Sequence, residues 1–393
     1  MMTSHALHPM AQELMEAFGH LTGLAAPENT PRRYLWTDAF AVCNFLGLYC
    51  QTGDNKYKQL ALRLTDQVHN ILGRHRHEAS RTGWISGLEA AAGKKHPTIR
   101  GLRIGKRFNE RGPDEPIDEQ LEWERDGQYY HYLTKWMHAL HRLSEVTADT
   151  TYNRWAIELA KTVHNRFVYT LSVNSQKCIY WKMSIDLSRP LVSSMGHHDP
   201  LDGFITYSEL RVSVADHRED IKAYDLAPEI SELATICQGK NWVTEDSLGI
   251  GGLLCHAFQV ASLMVNKQFE QPGLLGTILE SALLGLAYYT QENTLNLPAE
   301  KRLAFRELGL SIGLHAVKKL DEMLEEKAHL FENRSTFQPL TEELIQYSPL
   351  IELIESFWLD RDNQASDSWL EHRDINMVML ATSLSPEGFL GAD

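Results

Sequence analysis

The sequence predicts an all-α protein of about a dozen helices. Apolar residues recur at three- and four-residue spacing through most of the 393 residues, as in the series Ala39, Val42 and Leu46. A strand-like alternation is clear only over residues 178–185, where we expect a small β element. Proline and glycine are spread along the chain and mark no long linker, so we expect a single domain over residues 1–393.

Helical periodicity divides the chain into successive segments. In chain order we expect helices over residues 7–20, 39–50, 60–71, 128–146, 152–168, 203–214, 220–237, 247–265, 272–290, 300–330, 341–358 and 372–384. The most apolar stretch, residues 249–265, is interrupted by His256 and Gln259 and is too short to span a bilayer. We therefore expect it to be a buried helix.

A repeated turn indicates that the helices form consecutive hairpins. The segments TGDNKY (52–57) and TADTTY (147–152) share the pattern Thr-x-Asp-x-x-Tyr, and each lies between two predicted helices. Asp54 and Asp149 are placed to cap the helix that follows, because their carboxylates can accept hydrogen bonds from its free N–H groups. Such helix pairs bury their apolar faces only against neighbouring pairs.

Composition and charge exclude several classes of function. The formal net charge of −14 and the pI near 5.7 disfavour binding to nucleic acids and to anionic membranes.

The N-terminal stretch MMTSHALHPMAQ does not have the pattern of a signal peptide. Five widely spaced cysteines are typical of reduced thiols, and we expect a cytoplasmic protein. The sequence leaves self-association into a homo-oligomer open.

This layout of helical hairpins resembles the (α/α)6 toroid of the six-hairpin glycosidase superfamily. That superfamily includes glycoside hydrolases, unsaturated glucuronyl hydrolases and the N-acylglucosamine 2-epimerase group. The resemblance covers nearly the whole chain in layout, and its motifs are generic. It implies one toroid with a substrate pocket beside the loops that lead into the inner helices. An open armadillo- or TPR-like solenoid is the alternative, although its repeats would be shorter and more uniform.

The loops that the resemblance places at the pocket are rich in aromatic, acidic and histidine residues. They cover residues 31–38, 77–128, 186–203, 238–247 and 359–374. The segment 77–127 is too long for a simple connection, and we expect it to be functional. Tryptophan rings stack on sugar faces and carboxylates bind sugar hydroxyls, so this composition favours a small saccharide as the substrate.

Paired carboxylates lead to our first hypothesis, a glycoside hydrolase. Glycoside cleavage needs one carboxylic acid to protonate the leaving oxygen and one carboxylate to activate water or attack carbon. Glu122 has apolar neighbours in sequence, Asp126 lies where a helix begins, and Asp38 begins another predicted inner helix. We expect these three to be catalytic; the alternative is that they stabilise helix N-termini, where acidic residues are common.

A second set of residues is expected to bind the sugar or to orient catalytic groups. Gln128, His131, Lys135 and His138 form a polar stripe at helical spacing, which would line the central cavity of a toroid. The alternative is an outer helix whose polar face is in water. The predicted substrate-binding residues are Arg33, Trp36, Trp84, Gln128, His131, Lys135 and Asp202.

Histidines support a second hypothesis, an isomerase or epimerase. In the segment MGHHDPLDG (195–203), adjacent histidines point in different directions and no further ligand motif completes a metal site. His198 precedes one predicted inner helix, His256 lies within the next, and His372 precedes the last. The epimerase group uses histidines from inner helices to move a proton on a sugar, so the resemblance implies that role for these three.

Other chemistry is not indicated by the sequence. It contains no phosphate-binding loop and no nucleophile elbow, and GIGG (249–252) lies in a helical run, where it favours close helix packing. We therefore expect neither a metal ion nor a cofactor. A third hypothesis is a non-catalytic helical scaffold or sugar-binding protein.

Overall fold

The predicted all-α class is confirmed. A computed structural model describes residues 4–25, 29–79, 81–172, 175–212, 224–266, 269, 271–331 and 334–391, and most of these are helical. The described strands are short, and Lys177–Ile179 and Lys182–Met183 lie in the predicted β element. The chain divides into two compact units, His20–Gln238 and a unit that joins Met1–Gly19 to Gly239–Asp393.

The unit His20–Gln238 is built from helical hairpins. Its helices are α2 (Leu35–Thr52), α3 (Asn55–Leu72), α4 (Ala90–Lys95), α5 (Glu119–Glu124), α6 (Tyr130–Thr147), α7 (Thr150–Phe167), α8 (Asp199–Val212) and α9 (Ala227–Cys237). Helix α2 pairs with α3, α6 with α7 and α8 with α9. The first helices of these hairpins pack side by side, α2 on α6 and α6 on α8.

The repeated turns cap their helices as predicted. The Asp54 carboxylate accepts a hydrogen bond from Lys56 N at 2.9 Å, and Asp149 accepts one from Thr151 N at 2.9 Å. Each bond satisfies one of the free N–H groups at the start of a helix. The hairpin connections are therefore encoded locally.

The long segment between α3 and α6 is ordered by a small sheet and by two short helices, α4 and α5. The strands of this unit are β1 (Gln128–Tyr129), β2 (Val168–Thr170), β3 (Lys177–Ile179), β4 (Lys182–Met183) and β5 (Pro190–Val192). Antiparallel pairing joins β1 to β4 and β4 to β5, while β2 pairs with β3. The sheet fixes the chain where it enters α6.

The second unit has the same organisation of paired helices. Its described helices are α1 (Ser4–Leu21, whose last two residues belong to the first unit), α10 (Ser247–Val265), α11 (Pro272–Gln291), α12 (Ala304–Glu326), α13 (Arg334–Ile345), α14 (Pro349–Leu359), α15 (Arg361–Gln364), α16 (Asp367–Glu371), α17 (Arg373–Leu384) and α18 (Glu387–Leu390). Three short 3-10 turns also occur, Thr294–Asn296, Ala299–Lys301 and Ala328–Leu330. Helix α10 packs on α11 and α12, and α12 packs on α13, α14 and α17.

Helix α10 is mostly buried, as expected. At 19 residues the helix is longer than the stretch 249–265, so the expectation that it is too short to span a bilayer is wrong, but 67% of its most apolar window is buried inside the protein. Gly251 lies so close to Gly309 and Gly313 of α12 that a Cβ atom would clash with backbone. Gly251 of GIGG therefore allows close helix packing, whereas a Cβ atom on Gly252 would meet open space.

One predicted helix is wrong. The run 341–358 is divided between α13 and α14, because Pro349 cannot donate the backbone hydrogen bond that a continuing helix needs. Proline instead occupies the first turn of α14, where that N–H would have no partner within the helix.

Candidate functional site

The first turns of α2, α6 and α8 meet in the unit His20–Gln238. Tyr34, directly before α2, donates or accepts a hydrogen bond of 2.6 Å with the hydroxyl of Tyr132 in the first turn of α6. His131, also in the first turn of α6, lies beside Asp199, the first residue of α8. Three helix starts that are far apart in sequence thus form one site.

Aromatic rings cover one side of this site. The aromatic cluster consists of Tyr34, Trp123, Tyr129, Tyr132 and Trp181, with the ring of His131 at its centre. His131 lies 4.8 Å from Tyr132, 5.4 Å from Tyr129 and 6.1 Å from Trp181, with the Trp181 ring nearly parallel at 15°. Trp123 contacts Trp181 edge-on at 5.0 Å. Such a surface offers several ring faces to a ligand.

Polar groups of α6 and α8 cover the other side. His131 Nδ1 lies 3.7 Å from the Asp199 carboxylate. One turn further on, Asp202 binds Lys135 Nζ at 2.5 Å and accepts a hydrogen bond from the Thr134 hydroxyl. Asp202 is therefore paired with a cation and a hydroxyl group, whereas the contact between His131 and Asp199 is longer than a hydrogen bond.

Two buried polar atoms at this contact have no partner. His131 Nδ1 and Asp199 Oδ2 are buried and make no hydrogen bond with the described residues. A buried polar group without a hydrogen bond costs about 1–3 kcal/mol, so such groups are rare unless a ligand or water satisfies them. These two atoms belong to residues that face each other across α6 and α8, so this contact is the candidate for a binding or reaction site.

Burial sets the protonation of this pair. Burial, with a smaller contribution from the nearby Asp202 carboxylate, raises the pKa of Asp199 to about 8. Burial lowers the pKa of His131 to about 4, which favours the neutral imidazole. Near neutral pH the site therefore contains a protonated carboxyl group beside a neutral imidazole, one suited to donate a proton and the other to accept one.

The raised pKa of Asp199 predicts how the stability of the fold depends on pH. Between about pH 4 and 8 the folded state keeps a proton that the unfolded state releases, so the wild type loses up to about 1.4 kcal/mol of unfolding free energy per pH unit from this group. Asp199→Asn, which is neutral at every pH, removes that loss and is expected to be more stable than the wild type at about pH 8. Urea unfolding at several pH values measures the difference.

Asp38→Asn provides the matched control, because the Asp38 carboxylate is paired with Arg33. This variant is expected to be less stable than the wild type. A loss of stability in Asp199→Asn at about pH 8 would contradict the assigned protonation of Asp199.

The three carboxylates expected to be catalytic lie in buried ion pairs. Arg33 donates to Asp38 at 3.2 Å, and Asp38 also accepts a hydrogen bond from Tyr34 N. Arg103 donates to Asp126 at 2.7 Å. Glu122 accepts hydrogen bonds from Arg111 Nε at 3.1 Å and from Lys182 Nζ at 2.9 Å. Each of the three carboxyl groups is therefore already bound to a cationic side chain of the same unit.

Four of the predicted binding residues are occupied by local packing. Arg33 donates to Asp38 and to the carbonyl of Thr22, and the buried Trp36 packs on Phe40. The buried Trp84 is covered by Arg74, and Gln128 Nε2 donates to the carbonyl groups of Arg100 and Ile185. These contacts orient the segments that lead into α2 and α6.

The other three predicted binding residues come together. His131 and Lys135 of α6 face Asp202 and Asp199 of α8, and His138 of the same stripe lies 3.4 Å from Glu209 of α8. The polar stripe of α6 therefore faces another helix, which rules out an outer helix with its polar face in water.

The predicted catalytic histidines are distributed over both units. His198 lies in the loop before α8, where its ring is 4.7 Å from the exposed His197. His256 is buried within α10, and His372 directly precedes α17 with its ring 5.5 Å from Phe305. Among the residues described, no group of three His, Cys, Asp or Glu side chains is placed to hold a metal ion.

Sequence reasoning did not single out Asp199 or most of the aromatic cluster. It assigned no catalytic or binding role to Asp199, Tyr34, Tyr129, Tyr132 or Trp181. One signal was available, because His131 has tyrosines on both sides in the segment QYYHY (128–132). The contribution of Trp181 follows only from the pairing of β4 with β1.

Comparison with known proteins gives only distant similarities. No family model and no curated protein matches the chain. A sugar epimerase from a ruminal bacterium is 10% identical with a TM-score of 0.44, covering 92% of this chain and 88% of that one. A cellobiose 2-epimerase from Bacillus thermoamylovorans B4167 is 11% identical with a TM-score of 0.39, covering 81% and 76%. A polysaccharide lyase is 9% identical with a TM-score of 0.31, covering 95% and 96%.

Proposed function

We propose that this chain is a carbohydrate-active enzyme that moves a proton on a sugar carbon, an isomerase or epimerase. The observation that carries the proposal is the pair formed by His131 and Asp199. His131 Nδ1 lies 3.7 Å from Asp199 Oδ1, and both Nδ1 and the other carboxyl oxygen, Oδ2, are buried without a hydrogen bond to the described residues. Acid–base catalysis needs one group that accepts a proton and one that donates it within reach of the same substrate. The pair meets both conditions near neutral pH.

The surroundings of the pair favour a sugar. The aromatic cluster contains ring faces, and the ion pair of Lys135 with Asp202 lies one helical turn beyond His131 and Asp199. Sugar rings have apolar faces that pack on aromatic rings and hydroxyl groups that bind charged side chains. A site of this composition suits a polyol ring better than an apolar ligand or a nucleic acid.

The arrangement assigns a step to each residue. Neutral His131 removes the proton from the carbon next to the carbonyl of an open-chain sugar, and the electron pair forms a carbon–carbon double bond. Protonated Asp199 donates its proton to the carbonyl oxygen, which gives an enediol. Protonated His131 then returns a proton to C2 on the opposite face, after the enediol has rotated in the site, which gives the epimer, or to C1, which gives the isomer. The hydroxyl group at C1 (for the epimer) or at C2 (for the isomer) gives its proton back to the Asp199 carboxylate as the carbonyl forms, so both side chains regain their starting states. Lys135 and Thr134 bind the Asp202 carboxyl group and position it beside the pair.

A glycoside hydrolase is the second candidate, and the raised pKa of Asp199 favours it. Hydrolysis needs a carboxylic acid that is still protonated near neutral pH to protonate the leaving oxygen. Asp199 would serve as this acid. Asp38, Glu122 and Asp126 are each bound to a buried cationic side chain. If one of them were the acid of a hydrolase, it would first have to break its ion pair.

Solvent deuterium exchange distinguishes these candidates. The enzyme in D2O is expected to introduce deuterium at C2 of a reducing sugar, with a rate that is nearly constant between about pH 4 and 8. The rate falls below this range as His131 gains a proton and above it as Asp199 loses one. Mass spectrometry of a panel of free sugars measures the exchange.

Each alternative function predicts a different experimental result. Release of reducing sugar from glycosides without exchange at C2 would favour the hydrolase. Sugar binding without exchange or hydrolysis would favour a non-catalytic sugar-binding protein, and the absence of all three would contradict a carbohydrate function.

A further inference from the structure

An exposed tryptophan lies at the outer edge of the aromatic cluster. Trp123 is 52% exposed, although tryptophan is among the residues that gain most from burial. Its ring contacts Trp181, which in turn stacks on His131. The aromatic surface therefore continues outward from the proposed catalytic pair to a ring that remains open to a ligand.

Buried charges hold Trp123 in this position. Lys182 is fully buried and donates to the Glu122 carboxylate at 2.9 Å, to the Glu122 carbonyl at 2.7 Å and to the Arg125 carbonyl at 2.9 Å. These bonds use all three protons of the ammonium group. Arg111 binds the other oxygen of the Glu122 carboxylate at 3.1 Å. The residues on both sides of Trp123 in sequence are thus fixed.

The backbone around Trp123 is fixed as well. The Glu124 carbonyl accepts a hydrogen bond from Phe108 N at 3.1 Å, and the Arg125 guanidinium binds the Glu115 carboxylate with two nitrogens. An exposed ring on a backbone that is already ordered before a ligand arrives costs less entropy on binding than one on a mobile loop. This combination indicates a preformed stacking platform and not an incidental surface residue.

Polar groups accompany the platform. Burial is the main cause of two pKa shifts here: it lowers the pKa of Lys106 and raises the pKa of Tyr34. The exposed Glu124 carboxylate is close enough to contribute to the pKa values of both groups. Lys106 Nζ also lies over the Tyr34 ring at 5.4 Å. These charged groups border the aromatic cluster at Tyr34, and charged groups at the border of aromatic rings suit a ligand with an apolar face and hydroxyl edges, such as a second sugar ring.

We propose that Trp123 and Trp181 form a second saccharide subsite, positioned by the buried contacts of Glu122 with Lys182 and Arg111, so that the substrate contains at least two sugar units. This inference rests on the proposed function, because it extends the same site outward from His131 and Asp199. Glu122 is then a positioning residue, which acts on the substrate only through Trp123.

The test compares the binding of monosaccharides and disaccharides. Calorimetry with glucose, mannose and N-acetylglucosamine, and with maltose, lactose and mannobiose, gives the dissociation constants for the wild type, Trp123→Ala and the control Ile117→Ala. Ile117 is 67% exposed on the same segment and is not part of the cluster. For any disaccharide that the wild type binds, Trp123→Ala is expected to weaken binding about threefold to tenfold and to leave monosaccharide binding unchanged. Ile117→Ala is expected to change neither.

Two results would overturn the subsite: an equal loss for monosaccharides and disaccharides in Trp123→Ala, or no preference of the wild type for any disaccharide. Glu122→Gln provides a second readout, because it is expected to reproduce the selective loss if Glu122 acts by positioning. The binding assay does not require turnover. If disaccharide binding depends on Trp123 but no deuterium exchange occurs, the subsite is kept and the proposed function is rejected. If exchange occurs on monosaccharides alone, the proposed function is kept and the subsite is rejected.

Discussion

Replacing His131 with glutamine is expected to reduce deuterium exchange at the sugar carbon by about 10²- to 10⁴-fold. Glutamine keeps a polar group of similar reach, but it cannot take up a proton at the pH of the assay. Because the aromatic cluster and the contacts of Lys135 with Asp202 do not require an imidazole, the KM is expected to change less than kcat. Initial rates of exchange over a range of sugar concentrations separate the two constants.

His197→Gln is the matched control for this experiment. His197 lies two residues before Asp199 and is exposed, and the proposed mechanism gives it no role. Its exchange rate is expected to stay within about twofold of the wild type, since surface substitutions away from a site have small effects. A His131→Gln enzyme that keeps more than about one tenth of the wild-type kcat would reject His131 as the base.

The same assay tests the histidines that were singled out from the sequence. If His198, His256 and His372 carry the reaction, their glutamine variants lose exchange while His131→Gln retains it. The proposed mechanism requires the loss in His131→Gln.

Replacing Glu307 with alanine is expected to lower the free energy of unfolding by about 3–5 kcal/mol. Arg302 is 3% exposed and donates to the Glu307 carboxylate through Nε at 2.9 Å and through a terminal nitrogen at 2.6 Å. The indole N–H of Trp358 donates to the same carboxylate at 2.8 Å. Alanine would leave a buried guanidinium without its counter-charge and a buried indole N–H without an acceptor. Urea unfolding monitored by circular dichroism measures the loss.

Two further variants test whether the loss of unfolding free energy comes from the broken ion pair or from any substitution in this region. Glu300→Ala removes an exposed glutamate nearby and is expected to change stability by no more than about 0.5 kcal/mol. Arg302→Met combined with Glu307→Gln removes both charges and keeps an acceptor for Trp358, so it is expected to recover part of the loss. A Glu307→Ala protein within about 1 kcal/mol of the wild type would show that the ion pair contributes little.

Local patterns in the sequence were sufficient for the helices and their connections. The stripe of apolar residues in α10, the aspartates before α3 and α7, and the break at Pro349 all act through neighbours within a few residues. Even the missed break between α13 and α14 follows from the missing N–H of proline. The polar stripe of α6 also identified His131 and Lys135 before their partners were known.

The chemical roles of the charged residues were decided by tertiary structure. Asp38, Glu122 and Asp199 look alike in the sequence, since each lies at or near the start of a helix. Glu122 meets Lys182, which is 60 positions further along the chain, while Asp199 meets a histidine from another helix and no cation in hydrogen-bond contact. Burial raises the pKa of Asp199, whereas Glu122 is bound to a cation, so carboxyl groups in similar sequence contexts acquire different surroundings.

The sequence by itself thus determined the all-α class, the hairpins and the polar face of α6, because periodicity and capping are local properties. Only the tertiary structure decided which carboxyl group lies beside His131 and which aromatic rings surround it. The surroundings of His131 depend on contacts between helix starts and strands that are far apart in the chain, and such contacts cannot be predicted from a local pattern.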